Sequence, residues 1–326
     1  MNRKRDDSVE TSTHGTPKAK KKPVLRKIFE QKYLWLLGLP AILCLIIFSY
    51  APMSGLYMAF TNYSPSKSGY FNDLLNAPFV GLEWFKYFFS TDFGLIMRNT
   101  LAMSLITLLL SFPAPILIAI CLNEVFQKRT KKAIQTASYL PYFISWVIAA
   151  NIILTLFSGK GIVNDLLQFF HLTKHEILFF QDGKYFWWIM GFANTWKGMG
   201  YNAIIYLAAI SGISSEQYEA AEIDGASRLQ RIRYVTLPSL KPTIMILLIL
   251  AIGGILNTGF EQILLLQNPS IMNYSDVLDT YAYRYGMQNG MYSYGTAVGL
   301  FKSVVSFILV IGANKITKRM TSQGLF

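Results

Sequence analysis

Six stretches of the chain, residues 33–60, 100–122, 133–157, 185–210, 242–266 and 294–316, are apolar almost throughout. A helix of about 20 residues rises far enough to cross a hydrocarbon core of about 30 Å. In that solvent, backbone polar groups must be satisfied within the segment, so each run is expected to be a helix. The composition agrees: 52% of residues are hydrophobic and only 15% are charged, against about 25% charged in soluble domains. The expected architecture is therefore all-α and polytopic, with six spans.

The positive charges orient the spans. Ten Lys or Arg precede the first run, including AKKKP at 19–23; four lie in NEVFQKRTKK (123–132), four in the segment around Glu216 with its flanks and three after the core of the last run, Lys315, Lys318 and Arg319. The three alternate segments hold seven between them. Lys/Arg-rich loops stay in the cytoplasm, which places both termini and the Glu216 segment there. The net charge of +12 is then accounted for by topology and anionic lipid, without nucleic acid. Residues 1–32 read as a disordered basic tail, 33–316 as the membrane domain and 317–326 as a short cytoplasmic tail. Cys44 and Cys121 fall inside spans and read as buried filler.

The spans are punctuated by Pro40, Pro52, Pro113, Pro115 and Pro141. Kinks of this kind either tune packing or shape a path. The outer segments 61–99 and 158–184 carry FVGLEWFKYFF and DLLQFF, patterns suited to amphipathic helices lying at the interface. The outer segment 268–292 is rich in Tyr, Met and Asn; it reads as an interfacial belt, or as a gate or docking surface.

One polar interruption, EQYEAAEIDGASRLQRIRYVTLPSL (216–240), breaks the apolar pattern. Ser214 with Gln217 and Ser227 with Gln230 have capping-box spacing. Gly225 between them can end a helix in the left-handed region. The expectation is two short helices joined at Gly225, the second stopped by Pro238 and Pro242 opening the next span. Ala220, Ala221, Gly225 and Ala226 leave little bulk at the bend, ringed by Glu219, Glu222 and Asp224. Such an elbow is either a solvated loop or a knuckle that enters a cleft on a soluble partner.

That spacing resembles a family signature. EAA, three residues, Gly, nine residues, an aliphatic residue, one residue and Leu-Pro appear here as Glu219-Ala220-Ala221, Gly225, Val235 and Leu237-Pro238, with Val at the place where Ile is commonest. It is similar to the membrane subunits of ATP-binding-cassette importers. The fuller EAAEIDGAS resembles the maltose-permease-like carbohydrate branch, as do YLPYFIS, YLAAISGIS and GFEQILLLQNP elsewhere in the chain. Among its members the chain looks most like the oligosaccharide and polysaccharide-fragment permeases of Gram-positive bacteria. The resemblance implies a type I importer permease fold with a MetI-like core in the bacterial cell membrane. It also implies a second, similar permease, an ATPase dimer docked at Glu219, Ala220, Ala221, Asp224, Gly225, Ala226, Leu237 and Pro238, an extracytoplasmic solute-binding lipoprotein, and a carbohydrate cargo.

No phosphate loop GxxxxGK[ST] occurs, so ATP and its Mg²⁺ belong to another chain and this one holds no cofactor. No nucleophile with a base suggests an enzyme. His171 and His175 have helical metal spacing but lack a fuller ligand set. Polar groups within spans cost free energy and mark paths or interhelical pairs. Asn194, Trp196 and Lys197 in the fourth run, and Asn257, Phe260 and Glu261 in the fifth, either line a sugar path or, for Lys197 with Glu261, pair across helices. Two rivals remain at this point: an importer of amino acids, peptides or phosphate, and an ion-coupled secondary transporter, which would use the charges but not the elbow.

Overall fold

The computed structural model describes residues 32–321. The expected basic tail, apart from Lys32, and residues 322–326 lie outside them. Two compact units divide the chain, Met1–Ser54 and Gly55–Phe326. The described residues of the first unit begin with α1 (Lys32–Leu45), followed by a wide turn at Ile46–Tyr50. Leu36, Leu37, Ile47 and Phe48 are all exposed. A helix apolar on every side and unburied by its own chain suits a lipid surround.

The second unit is helical, with one isolated bridge, Thr61 to Phe79, and no strand among the described residues. After a short 3₁₀ helix (Ala51–Phe60) come α2 (Tyr70–Asn76), α3 (Glu83–Ser90), α4 (Phe93–Ser111), α5 (Pro113–Asn123), α6 (Lys128–Phe143), α7 (Trp146–Leu156) and α8 (Ile162–Phe169). Then follow α9 (Phe186–Ser211), α10 (Ser215–Ile223), α11 (Arg228–Arg231), α12 (Leu237–Gly253), α13 (Phe260–Leu266), α14 (Met272–Ser275), α15 (Leu278–Tyr283) and α16 (Tyr292–Thr321).

Four continuous helical segments are long and apolar enough to cross a membrane: Trp35–Phe60, Phe93–Asn123, Arg228–Gly253 and Tyr292–Lys318. The pair α6 and α7, bent by 100° at its break, is together apolar enough for a broken span or a re-entrant loop. The helix α9 is also 26 residues long, but Asn194, Lys197 and Asn202 make its middle less apolar.

The boundaries of the runs differ from the sequence expectation in three places. Run 133–157 is the bent pair, because Pro141 weakens the end of α6 and Ser145 starts α7 by accepting from the Ile148 N–H. Run 242–266 stops at Gly253 and resumes as α13 only at Phe260. Pro238 does not stop the helix before it. The Leu237 N–H bonds back five residues to the Ile232 carbonyl, giving a π turn at Ile232–Thr236. This wider turn absorbs the proline, and the helix runs on through Pro242.

Lipid supplies no hydrophobic drive between helices, so close packing and interhelical hydrogen bonds hold them. α9 is the central post, packed on α4, α5 and α6. A Cβ at Gly200 would lie 2.0 Å from the Ser138 carbonyl oxygen, so α6 and α9 meet backbone to backbone. The Ser111 and Thr195 hydroxyls bond at 2.8 Å between α4 and α9. Met103, Ala150, Met190 and Ile263 form one apolar cluster across α4, α7, α9 and α13.

The outer segments are more buried than the sequence suggests. α3 does not simply lie at an interface: Phe88 is buried among Phe93, Tyr281 and Phe301. In 268–292, Tyr281 is buried, as is Tyr294 just beyond, and their hydroxyls bond each other at 2.7 Å. This corrects the belt reading for Tyr281. Asn99 pins the segment to α4 by donating to the carbonyls of Asn273 (3.1 Å) and Asp276 (3.0 Å). Cys44 and Cys121 are free and exposed, not buried filler; each sits on an apolar helix face that its own unit leaves uncovered.

Candidate functional site

The break between α12 and α13 lies beside a cavity of about 430 Å³, within the 300–1,000 Å³ typical of ligand sites. Irregular backbone at membrane depth is tolerated where protein buries it or where it lines a cavity. One wall is α4, where Ser104, Thr107, Leu108 and Ser111 fall on a single face at helical spacing. A second wall is α9, with Asn194, Asn202, Ile205 and Tyr206. The break contributes Asn257 and Thr258, and α13 contributes Gln262. Gln262 donates to the Asn194 side-chain oxygen at 3.3 Å, which ties α13 to α9 across the cavity wall. The hydroxyls of Ser104, Thr107 and Thr258 are buried without a hydrogen-bond partner.

Of the six residues expected to face a path, Asn194 and Asn257 line this cavity. Trp196, Lys197, Phe260 and Glu261 are not among its lining residues. Lys197 is buried and points at the bend between α6 and α7. Its ammonium donates to the carbonyls of Pro141 (3.2 Å), Tyr142 (2.9 Å) and Ile144, and sits 5.3 Å from the Trp146 ring. A helix end leaves carbonyls unpaired, and one cation serves those of Tyr142 and Ile144 here while sharing that of Pro141 with the Ile144 N–H. Lys197 therefore caps α6; it forms no ion pair with Glu261. Phe260 packs its ring 5.0 Å from that of Tyr283, and Glu261 is exposed in the first turn of α13. Sequence reasoning missed Ser104, Thr107, Asn202, Thr258 and Gln262. A signal existed for two of them: Ser104, Thr107 and Ser111 form a polar stripe in an otherwise apolar helix.

The elbow has the expected joint. α10 ends at Ile223 with Asp224 as its C-terminal cap, and Gly225 has φ +76°. The Ala226 N–H bonds the Ala221 carbonyl at 2.9 Å and the Gly225 N–H bonds that of Glu222 at 3.0 Å, the paired closure of a helix that ends on a left-handed glycine. Ser227 and Gln230 form a full capping box. At Ser214 only half the device forms: its side chain accepts from the Glu216 N–H, with no return bond from Gln217.

Three contacts brace the elbow. Tyr218 bonds Thr236 through their hydroxyls at 2.9 Å, Arg231 meets Glu222 at 3.2 Å, and Arg228 lies 4.8 Å from the Phe126 ring. Glu219, Ala220, Asp224, Gly225, Leu237 and Pro238 are exposed, while Ala221 and Ala226 are half-buried. Two apolar side chains that the sequence reading passed over flank the joint: Ile223 is 86% exposed and Leu229 78%.

Residues 111–322, which include the cavity break and the elbow, match the family described as binding-protein-dependent transport system inner membrane component. The chain belongs to that family. The permease is 43% identical to protein LplB of Bacillus subtilis (strain 168) over 297 residues, covering 90% of this chain and 91% of that one. It is 40% identical over 311 residues to the polygalacturonan/rhamnogalacturonan transport system permease protein YteP of the same organism, covering 95% of each. Among solved structures, it matches a chain of a bacterial ABC transporter involved in the import of the acidic polysaccharide alginate. That match has 40% identity and a TM-score of 0.81, covering 91% of this chain and 99% of the other. A second match, at TM-score 0.83 and 39% identity, covers 93% of the permease and 99% of a chain in the same kind of transporter, in complex with an alginate pentasaccharide-bound periplasmic protein. The permease is thus a membrane-embedded transport component and not an enzyme, and it works with a substrate-binding protein and an ATPase.

Proposed function

We propose that the permease forms one half of the translocation path of an importer for oligosaccharides or polysaccharide fragments, paired with a second, similar permease. A binding protein delivers the sugar on the outside. An ATPase dimer, which binds the ATP and Mg²⁺, grips the elbow on the inside. Both termini and the elbow face the cytoplasm, in keeping with their Lys and Arg content. Six spans, with α9 as the fourth, satisfy that arrangement.

The observation that carries this reading is the broken helix at the cavity. A chain that interrupts a span between Gly253 and Phe260 and surrounds the gap with Asn194, Asn257 and Gln262 has replaced lipid-compatible backbone with groups that bond a polyol. A relative described as a polygalacturonan/rhamnogalacturonan transport system permease protein, and a solved structure of a transporter involved in the import of the acidic polysaccharide alginate, support a carbohydrate over an amino acid or phosphate. At the other end, Ile223 and Leu229 provide the apolar grip and Gly225 the fixed joint. Closure of the motor can then tilt α12, which leads from the elbow to the break.

Reconstitution tests the reading. The permease, its sister subunit, ATPase and binding protein in proteoliposomes should import labelled oligogalacturonate or oligoalginate with ATP hydrolysis. Asn257→Ala and Gln262→Ala should each cut uptake by about tenfold, the effect of one or two lost hydrogen bonds. Import unaffected by both changes would place the path elsewhere, and an assembly that hydrolyses ATP but carries no sugar would refute the carbohydrate assignment.

A further inference from the structure

We propose that this cavity reads sugar hydroxyls and not sugar charge, with Ser104, Thr107 and Thr258 as its specificity-determining residues. The inference rests on the assignment of the cavity to the carbohydrate path and narrows the class of ligand that it takes: an uncharged, hydroxyl-bearing face of the saccharide, even where the cargo as a whole is acidic.

The first support is what the lining lacks. Among the described residues, no Asp, Glu, Lys, Arg or His lines the cavity. Nearby cations of the second unit are committed elsewhere. Lys197 is spent on the carbonyls at the α6 bend. Lys302 pairs with Asp279 at 2.6 Å. Arg98 bonds the Asn99 side chain at 3.0 Å and the Asn273 carbonyl at 2.6 Å. A uronate carboxylate brought against this wall would meet no partner charge, and an unpaired charge in a poorly solvated site is strongly disfavoured.

The second support is what the lining leaves open. Ser104 and Thr258 are each only 7% exposed, and their hydroxyls, with that of Thr107, have no partner. A buried polar atom without a partner calls for a ligand or water. A hydroxyl both donates and accepts, so three of them match sugar hydroxyls in either direction, whereas an ammonium could only donate. They also stand on different elements, two on α4 and one at the break, and so can bracket a ring. Phe112, Ile205 and Leu247 supply apolar surface for its C–H face. Selection for acidic cargo would then fall to the binding protein or the sister subunit.

The test measures direct binding to the assembled complex in nanodiscs without binding protein, by equilibrium dialysis. It uses a labelled oligogalacturonate and its carboxyl-reduced, neutral counterpart of equal length. The wild type should bind the two within about threefold, and Thr258→Val and Ser104→Ala should weaken both by about tenfold. Thr258→Ser, which keeps the hydroxyl, should restore wild-type affinity, and this rescue excludes a folding defect as the cause. Tighter binding of the charged sugar by more than about tenfold would overturn the proposal. Unchanged affinities in both variants would also overturn it, by assigning the three hydroxyls to water only. The transport reading is judged separately by wild-type, binding-protein-dependent uptake: if that persists while the variants bind normally, only the present inference falls.

Discussion

Lys197 shows how a charge can be misassigned when only its neighbours along the chain are known. A lysine in the middle of a span reads as a path residue or half of an ion pair, because those are the common ways to offset its burial. Its actual partners are carbonyls 53 to 56 positions away in the chain, and no local pattern announces them. The consequence is testable. Lys197→Met keeps the length and removes the donor, leaving the Tyr142 and Ile144 carbonyls unsatisfied and that of Pro141 with only the Ile144 N–H. The variant should lose about 2–4 kcal/mol of stability, read as a lowered midpoint in denaturant unfolding of the purified complex; a midpoint equal to wild type would show that the bend does not need its cap. Gly225 is the opposite case. Its left-handed φ and the Ser227–Gln230 capping box are set by residues within a few positions, so the sequence displays them in full.

At the scale of elements, hydropathy places the helices well and their ends poorly. All six apolar runs coincide with helical segments, because lipid-facing surface must be apolar whatever the tertiary contacts. Ends depend on more. Pro238 reads as a stop, yet a π turn at Ile232–Thr236 carries the helix past it. Residues 254–259 read as span because they remain mostly apolar, yet the chain leaves the helix there to face a cavity. The packing of α9 on α6 likewise turns on one position. Gly200→Ala forces a Cβ against the Ser138 carbonyl, so the two helices must separate by more than the contact tolerates. The expected cost is about 1–3 kcal/mol, measured as a drop in thermal midpoint and in yield of assembled complex. An unchanged midpoint would mean that the α6–α9 contact is looser than the backbone approach implies. The cavity was partly legible: Asn194 and Asn257 stand out as amides in apolar runs, whereas Asn202 and Gln262, amides of the same runs, and the Ser104 and Thr107 stripe of α4 meet them only through the packing of the helices.

For the whole molecule, fold and family were accessible from sequence because both rest on long or regularly spaced signals: the apolar runs, the charge asymmetry and the EAA–Gly–Leu-Pro spacing. Which residues meet around a cavity was not, since that depends on how α4, α9 and α13 pack. The central claim is mechanical: an ATPase acting on the elbow changes the cavity, with α12 as the lever between them. Gly225→Pro removes the left-handed joint and the Gly225 N–H bond while leaving every cavity residue in place. In proteoliposomes holding the complete assembly and sugar-loaded binding protein, ATP-driven uptake by this variant should fall by more than about tenfold, with the complex still assembled. Uptake at the wild-type rate would contradict the claim.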